Sequence, residues 1–363
     1  MNYSIQPNRI AYIDVAKGLS ILLVALGHAN ATFGHGELLP TQLDNFLRLL
    51  RIPFFFFLSG LFISTNKPLL NYLTYKFDAF VKPYLSILLI TLLVSLLMGT
   101  NIKGPLKDAI SMLYGSGFHI PFPWVSLWFL PHLWAVYMFS SCCLRLTNYN
   151  EKSLIFKITF LIMLIMLGQQ LTTYFWPLRI AYTDFWGLPF SLDLVVLSSF
   201  YFILGYTVKN YIYQFKPNLY LFIISFFCVY IAAYHFDASI KLFYRNIGNP
   251  FVAIPSSLFA IYCGLTISTL LSKMKYISQL FLAMGVNSLF ILIFHVPVMY
   301  CIDTAFNLPN TTAKISILLL LSITFSVFLG ALISKNLYLS ALFKPLKNNK
   351  LFQKNTVGPS TSQ

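Results

Sequence analysis

Long apolar stretches separated by short polar or Gly/Pro-rich breaks run through almost the whole sequence. A hydrocarbon core about 30 Å thick is crossed by about 20 apolar residues in a helix. Ten stretches of that order occur, approximately at 10–33, 47–64, 80–99, 126–146, 154–175, 191–208, 218–236, 251–271, 286–302 and 315–337. The second and the ninth are short. This pattern predicts an all-α, polytopic integral membrane protein with about ten transmembrane helices. They would form one transmembrane domain over residues 1–343, followed by a loose basic tail at 344–363. No internal repeat and no second soluble domain stand out.

Composition agrees with that reading and removes its rivals. Hydrophobic residues make up 58% of the chain, aromatics 17% and charged residues 10%, against about 25% charged in a soluble globular domain. A soluble enzyme is excluded, and so is an intrinsically disordered chain, which is poor in apolar residues. Lys and Arg exceed Asp and Glu by 25 to 10, a net charge of +15. A nucleic-acid partner would need these cations gathered into one soluble patch, whereas here they sit in small clusters between apolar stretches.

Topology accounts for the charge better. With ten spans, sixteen Lys and Arg fall on the side of the termini, from Arg9 to Lys354, and eight on the other side: Arg48, Arg51, Lys103, Lys107, Arg179, Lys241, Arg245 and Lys314. Lys17 lies inside the first span. Cytoplasmic loops carry the excess of Lys and Arg, so both termini are expected in the cytoplasm and the chain in the inner (plasma) membrane. Met1 to Arg9 is polar and the first stretch carries Asp14 and Lys17, so no signal peptide is expected and that stretch should remain as a helix. The five cysteines, Cys142, Cys143, Cys228, Cys263 and Cys301, have no metal-ligand or disulfide-framework spacing and read as buried thiols.

A charge at bilayer depth is expensive, so ionisable residues within spans are functional candidates. Asp14 and Lys17 are three apart and can neutralise each other on one helix face. Lys17 and His28 are eleven apart, which at 100° per residue returns to within about 20° of the same face, about 16 Å along the axis. Gly27 and Ala29 beside that imidazole would admit a ligand or a helix at close range. A polar loop with His35 and Glu37 follows. Arg48 and Arg51 then share a helical face ahead of the string from Pro53 to Gly60, and together can fork a phosphate, a pyrophosphate or a carboxylate. Interfacial anchoring is the alternative for this pair. Ser59-Gly60 offers a small-residue helix contact. The aromatic string from Phe122 to His132, with Trp128, suits a membrane-surface belt or a stacking platform for a sugar. His295 is a second intramembrane imidazole, functional or structural. No phosphate loop, dinucleotide-binding glycines, serine elbow or metal-spaced histidine pair is present, and no metal is expected.

These residues resemble a known family. Tyr12-Ile13-Asp14-Val15-Ala16-Lys17-Gly18 running into Leu26-Gly27-His28, the pair Arg48 and Arg51, the aromatic string Pro53–Gly60 ending in Ser-Gly, Leu127-Trp128-Phe129-Leu130-Pro131, and Asn287-Ser288-Leu289-Phe290 before His295 are similar to the acyltransferase 3 family of membrane O-acyltransferases. Within that family the chain looks like the fucose 4-O-acetylase-like branch. Leu133 stands where some members carry a Glu. The resemblance implies transfer of an acetyl group from acetyl-CoA, as donor substrate, to a carbohydrate hydroxyl on a surface polysaccharide or its lipid-linked precursor. It implies catalytic roles for His28 and Lys17, His28 as proton acceptor or as acyl relay, and substrate or CoA contacts for Arg48, Arg51, Trp128, His295 and Asp14. The topology places the two arginines away from the cytoplasm, which favours a glycan there or a central CoA site. A transporter or flippase for a lipid-linked sugar is the competing class, and a structural membrane subunit a third.

Overall fold

The computed structural model describes residues 11–36, 38–98, 103–176 and 186–345. Arg9, Arg179, Glu37, Lys347, Lys350, Lys354 and the expected tail from 346 onward lie outside the described residues. In hydrocarbon every backbone N–H and C=O must be satisfied internally, which for these apolar stretches leaves the helix. Thirteen α-helices and no β-strand occur among the described residues: α1 Ala11–His28, α2 Thr41–Gly60, α3 Leu69–Leu97, α4 Lys103–Tyr114, α5 Phe129–Leu146, α6 Leu154–Phe175, α7 Val195–Tyr213, α8 Leu219–His235, α9 Pro250–Ser272, α10 Lys275–Val286, α11 Ser288–Phe306, α12 Thr312–Lys335 and α13 Leu337–Phe343. The protein is an all-α, multi-pass membrane protein. Ser153, Asn218, Asn249 and Asn336 accept backbone N–H bonds at the starts of α6, α8, α9 and α13, the side-chain caps that free helix ends require.

Each of the ten apolar stretches lies on a helix of its own. Among the described residues, eight segments are long and apolar enough to cross a membrane: Ala11–Phe33, Leu69–Leu97, Val125–Leu146, Leu154–Phe175, Pro189–Tyr213, Pro250–Ser272, Ser288–Phe306 and Thr312–Lys335. The other two expected spans are α2, which contains Asp44, Arg48 and Arg51, and α8, with 17 residues. Two helices begin earlier than their apolar stretches. Charges inside helix α3 find local partners: Lys82 Nζ lies 2.6 Å from Asp78 Oδ1, and Lys76 Nζ stands 3.9 Å from the ring centre of Tyr137. Helices α4, α10 and α13, of 12, 12 and 7 residues, are too short to span.

Two compact units divide the chain. The first comprises Met1–Ile63, Ile158–Met166 and Leu197–Val327. Within it α1 is central, packing against α2, α9, α10 and α11. Close helix approach in lipid relies on small residues, and two glycine pairs supply it here. A Cβ at Gly18 would run into the backbone carbonyl of Phe281, and one at Gly285 would meet the carbonyl oxygen of Asp14 at 2.5 Å. Gly60 sits on the carbonyl of Phe202, and Gly205 on that of Phe57, so Ser59-Gly60 does form a small-residue helix contact.

The rigid α1–α10 contact leads to a stability prediction. Gly18→Ala is expected to cost about 1–3 kcal/mol by overpacking. Gly104→Ala, where no atom lies within 4 Å of the added Cβ, serves as the control. Thermal unfolding of the detergent-solubilised variants measures both, and equal midpoints would show that the α1–α10 approach adapts freely.

The second unit comprises Ser64–Lys157, Leu167–Val196 and Phe328–Gln363. Here α3 packs on α4, α5 and α13. The Tyr84 hydroxyl donates to the carbonyl oxygen of Met112, and Arg145 Nη2 donates to the carbonyls of Ser64 and Lys67 at 3.1 and 3.0 Å. Large apolar side chains such as Leu89, Leu93, Ile155, Ile162, Leu320 and Phe325 are not covered by protein, as lipid-facing helix surfaces demand. The cysteines follow the same division: Cys263 is buried, but Cys142, Cys143 and Cys228 are only partly covered and Cys301 is exposed. The expectation of buried thiols therefore holds for Cys263 alone.

Candidate active site

The cluster assembles in the first unit, around the far end of α1. Helix α1 ends at His28, and the chain continues as one π-helical turn, Ala29–Phe33. Such wide turns recur at functional sites because they rotate the side chains around them. Asn30 holds the turn to the loop that follows. Its Oδ1 accepts the N–H of Leu39 at 3.1 Å, and its carbonyl accepts that of Gly36 at 2.9 Å. The His28 side chain remains partly accessible at this point.

Arg51, from α2, is packed directly on α1. A Cβ at Gly27 would occupy the place of Arg51 Nη1, so only glycine at the residue before His28 lets the guanidinium in. The opposite edge of that guanidinium is held elsewhere: Nη2 donates to Asp44 Oδ1 at 2.8 Å, while Asp44 Oδ2 takes a 2.5 Å bond from Arg48 Nε. One carboxylate thus fixes both arginines, with Asp44, Arg48 and Arg51 side chains only 12, 16 and 10% exposed. Two guanidiniums and one carboxylate leave a net +1. Arg51 and Arg48 are the cations that act on His28 electrostatically.

His295, from α11, completes the group. Its ring centre lies 5.1 Å from that of His28, with the ring planes at 60°. Its side chain is fully buried, and Nδ1 pairs with the carbonyl oxygen of Ile291 at 2.6 Å. A carbonyl can only accept, so Nδ1 carries the hydrogen and the neutral ring has its lone pair on Nε2. That Nε2 is buried and has no hydrogen-bond partner.

The remaining candidates have other partners. Lys17 pairs with Asp14 at 3.0 Å, and its ammonium stands 3.8 Å over the ring of Phe62. Eleven residues of helix separate it from His28, about 16 Å, so the structure does not bring the two together. The reading in which Asp14 and Lys17 neutralise each other is the one seen. Trp128 belongs to the second unit, where it is 3% exposed and packs on Phe129 at 5.8 Å and on His132 at 5.4 Å. His132 Nδ1 lies 3.3 Å from the carbonyl of Phe190. Among the described residues no group of three or more His, Cys, Asp or Glu is gathered as for a metal ion.

Asp44 is the member that sequence reasoning missed. Its spacing to Arg48 and Arg51, four and seven residues on one helix face, was the available signal. The site as built offers a partly accessible imidazole, a second imidazole with an open lone pair, and a guanidinium held against the first. Proton removal from a hydroxyl and stabilisation of a developing oxyanion are the chemistry that such a set can perform.

No curated protein and no solved structure matches the chain. A family model, described as an acyltransferase domain, matches residues 10–334, which contain the whole cluster and both units' helices as far as α12. The chain belongs to the acyltransferase 3 family and is a membrane O-acyltransferase.

Proposed function

We propose that this enzyme moves an acetyl group from acetyl-CoA to a hydroxyl of a surface polysaccharide or of its lipid-linked precursor, with the chemistry centred on His28. The observation that carries this reading is the seat of Arg51. Its Nη2 edge is tied to Asp44 and its Nη1 edge lies on Gly27, next to the imidazole. In such a site the thioester carbonyl sits with its oxygen towards Arg51, whose fixed positive charge stabilises the oxyanion as the hydroxyl oxygen attacks. His28 takes the hydroxyl's proton, or first accepts the acyl group on its ring nitrogen and passes it on. In either route the C–S bond breaks and CoA leaves with a proton. Because Asp44 already satisfies half of the positive charge, Arg48 and Arg51 suit a carbonyl or a single anionic group better than a run of phosphates.

The fucose 4-O-acetylase-like branch and the carbohydrate acceptor rest on the sequence resemblance. Residues 1–343 then act as a single catalytic domain in the inner membrane, with both termini and the basic tail at 344–363 in the cytoplasm, where acetyl-CoA is made. Lys17 with Asp14 and the Arg48 side chain would line the approach of donor or acceptor.

The test uses membranes containing the full chain, supplied with acetyl-CoA labelled in the acetyl group and a glycan fraction from the producing cells. Free CoA and labelled glycan are expected to appear in equal amounts. Transfer from a longer acyl-CoA but not from acetyl-CoA would overturn the donor, and label in sugar-free lipid or in protein alone would overturn the acceptor.

A further inference from the structure

Among the described residues, His295 Nε2 is a buried nitrogen that has no hydrogen-bond partner and stands beside the His28 ring. Leaving a buried nitrogen without a partner costs about 1–3 kcal/mol, and an aliphatic side chain would fill the same space without that loss. The ring is nevertheless held in one orientation. Its Nδ1–H is spent on Ile291 of its own helix, which fixes the tautomer and leaves a lone pair on the side away from that bond. The neighbouring ring is His28, 5.1 Å away between centres. A ring nitrogen lies about 1 Å from its centre, so a small turn of the more accessible His28 brings two nitrogens to an N–H···N distance of about 3 Å. The other charged groups around His28 are the two arginines, which are donors only and cannot accept a hydrogen from it.

We propose that His295 is a positioning residue for His28: its Nε2 accepts the N–H of the His28 ring, fixing which His28 nitrogen faces the substrate and holding the imidazolium when it forms. This rests on the reading of His28 as the reacting imidazole. The proton balance is simple. The substrate hydroxyl gives its proton to the free nitrogen of His28, the other His28 nitrogen keeps its hydrogen and shares it with His295, and the proton taken up is returned to the departing CoA sulfur. His295 neither gains nor loses a proton in the cycle.

Two substitutions separate this role from simple packing. His295→Leu keeps bulk and removes the acceptor, whereas His295→Gln places a carbonyl oxygen close to the former Nε2. With labelled acetyl-CoA and the glycan fraction, His295→Leu is expected to lower kcat for CoA release about 100-fold, within the usual contribution of proton handling, and to leave the KM for acetyl-CoA within about twofold. His295→Gln is expected to recover at least a tenth of the wild-type kcat. Leu and Gln variants equally impaired, with KM raised, would overturn the proposal in favour of a direct substrate contact, and a Leu variant within twofold of wild type would overturn it in favour of packing.

A second readout needs no turnover. In the solubilised wild-type protein with 15N-labelled histidine, the His295 ring is expected to show the Nδ1–H tautomer, and its Nε2 resonance is expected to shift when His28 is replaced by Ala. An Nε2–H tautomer, or no response to His28→Ala, would overturn the pairing. If wild-type membranes transfer nothing from acetyl-CoA while these ring signals appear as expected, the donor assignment fails and the pairing stands.

Discussion

Replacing His28 by Ala is expected to reduce acyl transfer by about 1000-fold, the scale on which a positioned base or nucleophile contributes, with no loss of the protein from the membrane. The two halves of that expectation come from different features. The imidazole stands at the last residue of α1, partly accessible, with Arg51 packed on the residue before it and His295 beside it. The other imidazoles of the first unit are placed differently, His35 in a loop, His235 at the end of α8 and His295 fully buried. The helix itself does not depend on the side chain. The π turn is held by Asn30 and by backbone bonds from Gly34 and Gly36, and alanine favours helix more than histidine does. CoA release from labelled acetyl-CoA, read against membrane abundance and the melting midpoint in detergent, measures both halves. Transfer within tenfold of wild type would remove His28 from the chemistry, and a variant that fails to accumulate would show that the ring is structural.

Much of this could be read from the sequence, for a physical reason. Bilayer thickness sets a length scale that apolar runs record directly, and all ten runs lie on separate helices. The errors came where charge sits inside helix. Counting apolar residues started the second helix near residue 47, whereas α2 starts at Thr41, because Asp44 reads as a loop residue until its two arginine partners are seen on the same face. The stretch at 80–99 misses the first turns of α3, which carry Lys76 and Asp78, for the same reason. The closeness of Gly27 to a partner was legible from its size, but not that the partner would be a guanidinium from α2. Two further features leave no local mark. The pairing of His28 with His295 depends on how α1 packs on α11, and the π turn after His28 is a shift of one residue in hydrogen-bond register. Lys17 shows the opposite case: the spacing that aligned it with His28 was right as helix geometry, but the ion pair at three residues is satisfied first.

Asp44 gives the largest expected effect on stability. Replacing it by Ala leaves two guanidiniums, both little exposed, with no carboxylate between them, and breaking a buried pair from one side costs about 3–5 kcal/mol. A drop of that order in the unfolding free energy of the solubilised protein is expected. Activity should fall as well, by about 100-fold, because Arg51 loses the bond that holds its Nη2 edge and thereby aims Nη1 at the residue before His28, and one misplaced oxyanion donor accounts for 10²–10³. The two losses can be separated by restoring charge without restoring the anchor. In Asp44→Ala with Arg48→Met the group again carries +1 and offers Arg51 no acceptor, so most of the stability is expected to return while transfer stays low. Recovery of both together would mean that Arg51 finds its seat without Asp44 and that the carboxylate serves only to balance charge. An Asp44→Ala protein as stable and as active as wild type would dismiss the three-residue ion pair as the frame of the site.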